Sequence, residues 1–174
     1  MILNYRTAEL TIACLRSLAR QIGELREAEV VVTDNDSGDG SADKIARAIT
    51  DEGMSAWARC EPLPKNGGYA YGNNAPIRAA LTRPEPPDFV LLLNPDTEVL
   101  PGAITALVEF MRAHPECGIA GSRLEDERGN AHCSASEYLL KDGNGTALEG
   151  RVDYVKAGTG GPYVCFKCHT QSYY

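Results

Sequence analysis

The sequence predicts an α/β fold on a mostly parallel central sheet, and three observations carry that prediction. Short apolar runs, Val30–Val32 and Phe89–Leu93, alternate with segments of helical period. Such runs end in corners rich in Asn, Asp and Gly, residues that turn a chain. No internal repeat interrupts the alternation, and strand–helix–strand order gives crossovers between parallel strands.

The elements follow in order. Met1–Asn4 is short and apolar, the end of a first strand. Thr7–Ile22 sets Leu10, Cys14, Leu18 and Ile22 at four-residue spacing, an apolar helical stripe. Glu29–Thr33 is β-branched and buried in character. The polar loop Asp34–Ser41 follows, with Ser41 as N-cap of a helix to about Thr50 that turns Ile45 and Ile49 inward. A weaker strand is expected over Ala56–Glu61. Lys65–Gly68 is a turn, and a helix over Tyr71–Thr82 carries Pro76 near its start. Arg83–Asp88 contains three prolines and is a loop. Phe89–Leu93 reads as a fully buried parallel strand, leading into the Asn94–Thr97 corner. A helix over Pro101–His114 buries Ile104, Leu107, Val108 and Met111, and Cys117–Ala120 is a further strand. After Gly121 the pattern weakens, and the tail from Pro162 has no clear period.

Composition narrows the function. The 174 residues suit one domain with a real core, and 43% hydrophobic and 24% charged residues are ordinary for a globular protein. Seventeen basic against twenty-four acidic residues give a net charge of −7. That balance argues against nucleic acid as a partner, and an anionic ligand needs a local cation. No stretch approaches a transmembrane helix, and the start lacks a signal-peptide pattern, so the expected location is cytoplasmic. The cysteines (14, 60, 117, 133, 165 and 168) are then expected to be reduced. Cys165–His169 matches the CxxCH haem-attachment pattern, but no export route or second metal half-site accompanies it.

The phosphate-loop pattern GxxxxGK[ST] and the dinucleotide fingerprint GxGxxG are both absent. Three loops remain at the carboxyl ends of expected strands: Asn4–Arg6, Asp34–Ser41 and Asn94–Asp96. In a parallel sheet those ends share one edge, where open α/β sheets bind ligands. Tyr5 can stack on a base, and Asp34 can accept from a base imide or ribose hydroxyls. Asp96 can hold Mg²⁺ or Mn²⁺ against a diphosphate. Each residue has a structural alternative: Asp34 and Asp36 can close an Asx-turn, and Asp96 can cap the next segment. Lys65–Asn74 adds glycines for close backbone approach at a helix start.

In combination, LNYRTAEL, VVVTDNDSGDGS, NGGYAYGNN, LLLNPDTEVLPGA, GIAGSRLEDERGN and VDYVKAG resemble the family 2 glycosyltransferases, in particular their bacterial rhamnosyltransferase-like branch. The resemblance covers roughly residues 1–158. It implies a GT-A fold, a Rossmann-like three-layer α/β/α arrangement, as a donor-binding domain over 1–158, with 159–174 an irregular tail. It implies inverting transfer from a dTDP- or UDP-sugar to a glycan or lipid-linked acceptor, assisted by Mg²⁺ or Mn²⁺. That chemistry belongs to polysaccharide assembly, with peripheral contact at the inner face of the membrane. The donor-binding residues it implies are Asn4, Tyr5, Arg6, Asp34, Asn66, Gly68, Asn74, Asn94 and Asp96, with Asp96 the metal carboxylate. Asn94 stands where many relatives carry an acid. No block matches the acidic pair that supplies the catalytic base, nor most of the acceptor half. The alternative is a nucleotide-sugar-binding module or truncated transferase without turnover.

Overall fold

The computed structural model describes residues 1–25, 27–115, 118 and 120, and the backbone of 140–141 and 147–148. It divides into two compact units, Met1–Gly102 and Ala103–Tyr174.

In the first unit β1 (Ile2–Asn4), β2 (Val30–Asp34) and β3 (Ala58–Pro62) form a parallel sheet in the order β1–β2–β3. Asn4 lies opposite Asp34, and Asp34 opposite Pro62, so the three carboxyl ends are level. The middle strand is buried at every position, which explains its unbroken Val30-Val31-Val32 run. Ile2, Leu15, Val31, Val32 and Ile45 are the largest fully buried apolar side chains.

Helix α1 (Ala8–Ala19) and a 3₁₀ turn (Ile22–Glu24) connect β1 to β2. The buried face of α1 is Thr11, Ile12, Cys14, Leu15, Ser17 and Leu18, and Leu10 is 48% exposed. This corrects the expected stripe: strict four-residue spacing drifts by about 40° per step on a 3.6-residue helix, so Leu10 and Ile22 cannot share one face. Helix α2 (Ser41–Asp51) buries Ile45 and Ile49 as expected. Ser41 is its first residue rather than its cap. Gly40 precedes it in the left-handed region at φ 83°, and Asp39 Oδ1 accepts from the Ser41 amide at 3.0 Å. Helix α3 (Gly68–Leu81) starts earlier than expected, so Pro76 lies buried in its interior. There the ring leaves the Gly72 carbonyl without its helical donor.

The expected strand over Phe89–Leu93 is also corrected. The run lies parallel to the free edge of β1, but it forms one bridge, Leu93 with Ile2. Main-chain bonds join the Met1 amine to the Leu91 carbonyl at 2.8 Å and the Leu93 amide to the Met1 carbonyl at 3.0 Å. No bridge forms at Phe89 or Val90. These residues and Leu92 are exposed.

The second unit contains α4 (Ala103–Ala113) and an antiparallel pair, β4 (Leu140–Lys141) with β5 (Ala147–Leu148). Of the expected α4 stripe only Leu107 is buried, and the Phe110 and His114 rings approach to 4.5 Å between centroids. The domain boundary at 158, the last two sequence blocks, most of the expected Cys117–Ala120 strand and the Cys165–His169 motif lie outside the described residues. Among the described residues no helix is long and apolar enough to cross a membrane.

Candidate functional site

The level carboxyl ends of β1 and β2 bring Asn4 and Asp34 into direct contact. Asn4 Nδ2 donates to Asp34 Oδ2 at 2.6 Å, and both side chains are buried. The Asn4 Oδ1 accepts from the Thr7 amide and hydroxyl and from the Thr11 hydroxyl. Asn4 is therefore fully engaged in tying β1 to the start of α1. Asp34 Oδ1 accepts from the Ser37 amide at 3.0 Å, and Oδ2 accepts from the Ser37 hydroxyl at 2.6 Å. This closure, one residue longer than the Asx-turn expected as the structural alternative, leaves acceptor capacity only on Oδ1. Ser37 also positions Arg6. Its Oγ accepts from the Arg6 amide at 2.9 Å and its carbonyl accepts from Arg6 Nε at 3.0 Å. Arg6 has a left-handed backbone, φ 57°, and its guanidinium lies 5.1 Å from the centre of the Tyr5 ring, itself 37% exposed.

Asn35, next along from Asp34, reaches the glycine loop. Its Nδ2 donates to Asn66 Oδ1 at 2.8 Å and to the Gly68 carbonyl at 3.5 Å, while its Oδ1 accepts from the Gly67 amide at 3.3 Å. Asn66 Oδ1 also accepts from the Gly68 amide at 2.9 Å. Gly68 opens α3 at φ 81°, a backbone that favours glycine. Within α3 it is Asn73 that turns inward, donating to the Tyr69 carbonyl at 3.0 Å, whereas Asn74 is exposed. The edge therefore gathers Asn4, Arg6, Asp34 and the Asn66–Gly68 loop. Ser37 and Asn35, which knit them together, were not singled out from sequence. The Asp-x-x-Ser spacing of Asp34 and Ser37, in which a short polar side chain can bond the backbone three residues on, was the available signal for the first.

Asn94 and Asp96 follow the run laid beside β1. The Val99 amide donates to Ser17 Oγ at 3.0 Å, and Gln21 Nε2 donates to the Val99 carbonyl at 3.1 Å. Cys14 Sγ contacts the Asn94 carbonyl at 3.9 Å, and Arg20 pairs with Glu98. These contacts draw residues 94–99 along α1. Asp96, in the turn closed by the Thr97 amide on the Asn94 carbonyl, lines a cleft of about 310 Å³ with Leu10, Ala13, Cys14, Arg16 and Arg20. None of Asn4, Tyr5, Arg6, Asp34 or Asn66 lines it. The Asn94–Asp96 corner thus follows a run laid parallel beside β1 at Ile2–Leu93, and α1 holds the segment after it through Ser17 and Gln21.

The donor set around Asp96 is sparse. Among the described residues no group of three or more His, Cys, Asp or Glu could hold a metal. Glu98 is paired with Arg20, and burial pushes the Cys14 thiol up to about 11, so it stays protonated near neutrality. One exposed carboxylate does not make an all-protein cage. It does fit a hard cation held mainly by phosphate oxygens and water.

A family model, glycosyl transferase family 2, matches residues 1–165. Among solved structures, the mannosyltransferase PcManGT from Pyrobaculum calidifontis, in complex with GDP-Man and Mn²⁺, is similar with a TM-score of 0.54 at 18% identity. The match covers 73% of this chain and 35% of that one, so the chain spans about a third of that protein's length. A likeness at this identity is one of fold. No curated protein matches the chain.

Proposed function

The chain belongs to glycosyltransferase family 2, and from that premise we propose that it binds a nucleotide-sugar donor at the carboxyl edge of its parallel sheet. The sugar then passes to a hydroxyl of a glycan or lipid-linked acceptor. The observation that carries this reading is the Asn4–Asp34 contact beside the Asn66–Gly68 loop, at an edge where open α/β sheets bind ligands. In it Tyr5 stacks on the base and Asp34 Oδ1 accepts one further hydrogen bond. The exposed Asn74 and Asn94 face the donor. Asp96 would hold Mg²⁺ or Mn²⁺ through the donor phosphates, and a cation there would offset charge on the departing nucleoside diphosphate. The reading extends to inverting, rhamnosyltransferase-like chemistry on the cytoplasmic side of a membrane.

Titration with UDP-, dTDP- and GDP-sugars, with and without Mn²⁺, tests the reading. Binding strengthened by Mn²⁺, with sugar release or transfer, is the expected result; no binding of any nucleotide rejects it. Asp96→Ala should remove the Mn²⁺-dependent part of the affinity, roughly tenfold or more, and leave the metal-free part. A second reading is a binding module without turnover. It is favoured by one observation: the other acid lining the Asp96 cleft, Glu98, is paired with Arg20 and so is poorly placed to act as base. Metal-dependent binding without hydrolysis or transfer would select it.

A further inference from the structure

Arg16, Arg20, Lys44, Arg59 and Arg83 are in ion pairs with glutamates, whereas Arg6, like Arg47, Lys65 and Arg78, takes part in none among the described residues. Of these four, Arg6 is the one hydrogen-bonded to Ser37, the partner of Asp34. Its anchoring uses the amide and Nε, both through Ser37, which leaves the two terminal guanidinium nitrogens available. An arginine with φ 57° occupies a sparsely populated backbone region, and the Ser37 hydroxyl is what receives its amide there. Such conformations persist where the surroundings over-determine them, often at binding sites. The guanidinium also lies over the Tyr5 ring, so its position is set before any ligand arrives. Asp39 feels the Arg6 charge without forming an ion pair with it.

A chain of net charge −7 repels phosphates unless a local cation receives them. Asp96, the residue for a bridging metal, lines the cleft along α1. The cation hydrogen-bonded into the Asn4–Asp34–Ser37 cluster is Arg6, whereas Lys65, before the glycine loop, lies over the Tyr71 ring.

We propose that Arg6, posed by Ser37, is the side chain that receives the phosphate groups of the nucleotide donor, independently of any metal. This rests on the donor-binding reading above. Arg6 is then a binding residue and Ser37 a positioning residue. A planar guanidinium with two free terminal nitrogens suits phosphate oxygens, and fixing it beforehand lowers the ordering cost of binding.

The test is calorimetric titration of the full chain in EDTA with UDP, dTDP and GDP, and with the matching nucleosides. Arg6→Gln is expected to weaken diphosphate binding about tenfold or more while nucleoside binding is unchanged. Arg6→Lys keeps the charge but loses the Nε anchor and the fork, and it should fall between. Ser37→Ala should weaken diphosphate binding in the wild-type background and cause no further loss in the Arg6→Gln background. A purely structural role for Ser37 would instead give additive losses that extend to nucleosides. If Arg6→Gln binds diphosphates as tightly as wild type, or loses nucleoside and diphosphate equally, the proposal is wrong although the donor-binding reading stands. If the wild-type chain binds no nucleotide with or without Mn²⁺, the donor-binding reading fails and takes this proposal with it.

Discussion

At the scale of single residues, the carboxyl edge is polar but nearly every buried polar side-chain atom there has a partner. The exception among the described residues is Thr33, whose buried Oγ1 has none. It sits in β2 between Leu3 and Glu61 of the neighbouring strands. An unsatisfied buried hydroxyl costs about 1–3 kcal/mol, so Thr33→Val should raise stability by roughly 1 kcal/mol in urea unfolding, with an unchanged m-value. A loss of stability would show that the hydroxyl has a partner after all. The thiols give a pH signature. Burial pushes Cys14 up to about 11 and Cys60 up to about 12, from 9.0 in each case. The folded chain therefore keeps protons that the unfolded chain loses. The stabilisation is complete below pH 9 and declines as pH rises through 9 toward 11–12, by about 2–3 kcal/mol for Cys14. Unfolding free energies measured from pH 8 to 11 should fall less steeply in Cys14→Ala than in wild type. Asp34 shows what the sequence could and could not reveal at this scale. Its position past a buried strand was readable. That its two oxygens are met by Asn4 and Ser37, leaving one lone pair, depends on which residues the register sets opposite it.

At the scale of elements, α3 approaches β1 closely at Gly72. A Cβ there would lie 2.2 Å from Leu3 Cδ1 and 3.2 Å from Leu3 Cγ, and both residues are buried. Leu3 would have to leave its rotamer inside a packed face, which typically costs about 1–3 kcal/mol. Gly72→Ala should therefore destabilise by that amount, even though alanine is the better helix former. Leu3→Ala in the same chain should recover part of the loss, a non-additivity that a double-mutant cycle reads directly. If Gly72→Ala is neutral or stabilising, the close packing of α3 on β1 is not what the glycine serves. The elements that were legible are those whose own composition decides them. Val30–Val32 could only be an interior strand, and Ile45 with Ile49 could only face the sheet. Those misread depended on a neighbour. Phe89–Leu93 has the composition of a buried strand, but a ladder also needs a paired neighbour, and this run meets β1 in a single bridge, Leu93 with Ile2. The α1 stripe was misplaced because Thr11 and Ser17 are buried for their hydrogen bonds, which an apolar pattern cannot see.

At the scale of the whole molecule, core and candidate site coincide in one unit. Every buried apolar side chain described except Leu107 lies within Met1–Gly102, as do all nine residues expected to bind donor. About a hundred residues with a continuous core are enough for independent folding. The ion pairs of this unit are on its surface, where such pairs contribute little, so its stability rests on the Ile2–Leu15–Val31–Ile45 core. A chain ending at Gly102 should therefore unfold cooperatively in urea, with helical and sheet circular dichroism retained. The exposed Phe89, Val90 and Leu92 make low protein concentration advisable for that measurement. If the donor-binding edge is complete in the unit, the shortened chain should bind nucleoside diphosphates within about threefold of the full chain, a change under 1 kcal/mol. Cooperative unfolding with lost binding would place essential donor contacts after residue 102. Loss of the cooperative transition itself would mean that the β1–β3 core depends on residues beyond Gly102. Donor recognition would then belong to the chain as a whole, and the Asn4–Asp34–Ser37 cluster would be only its foundation.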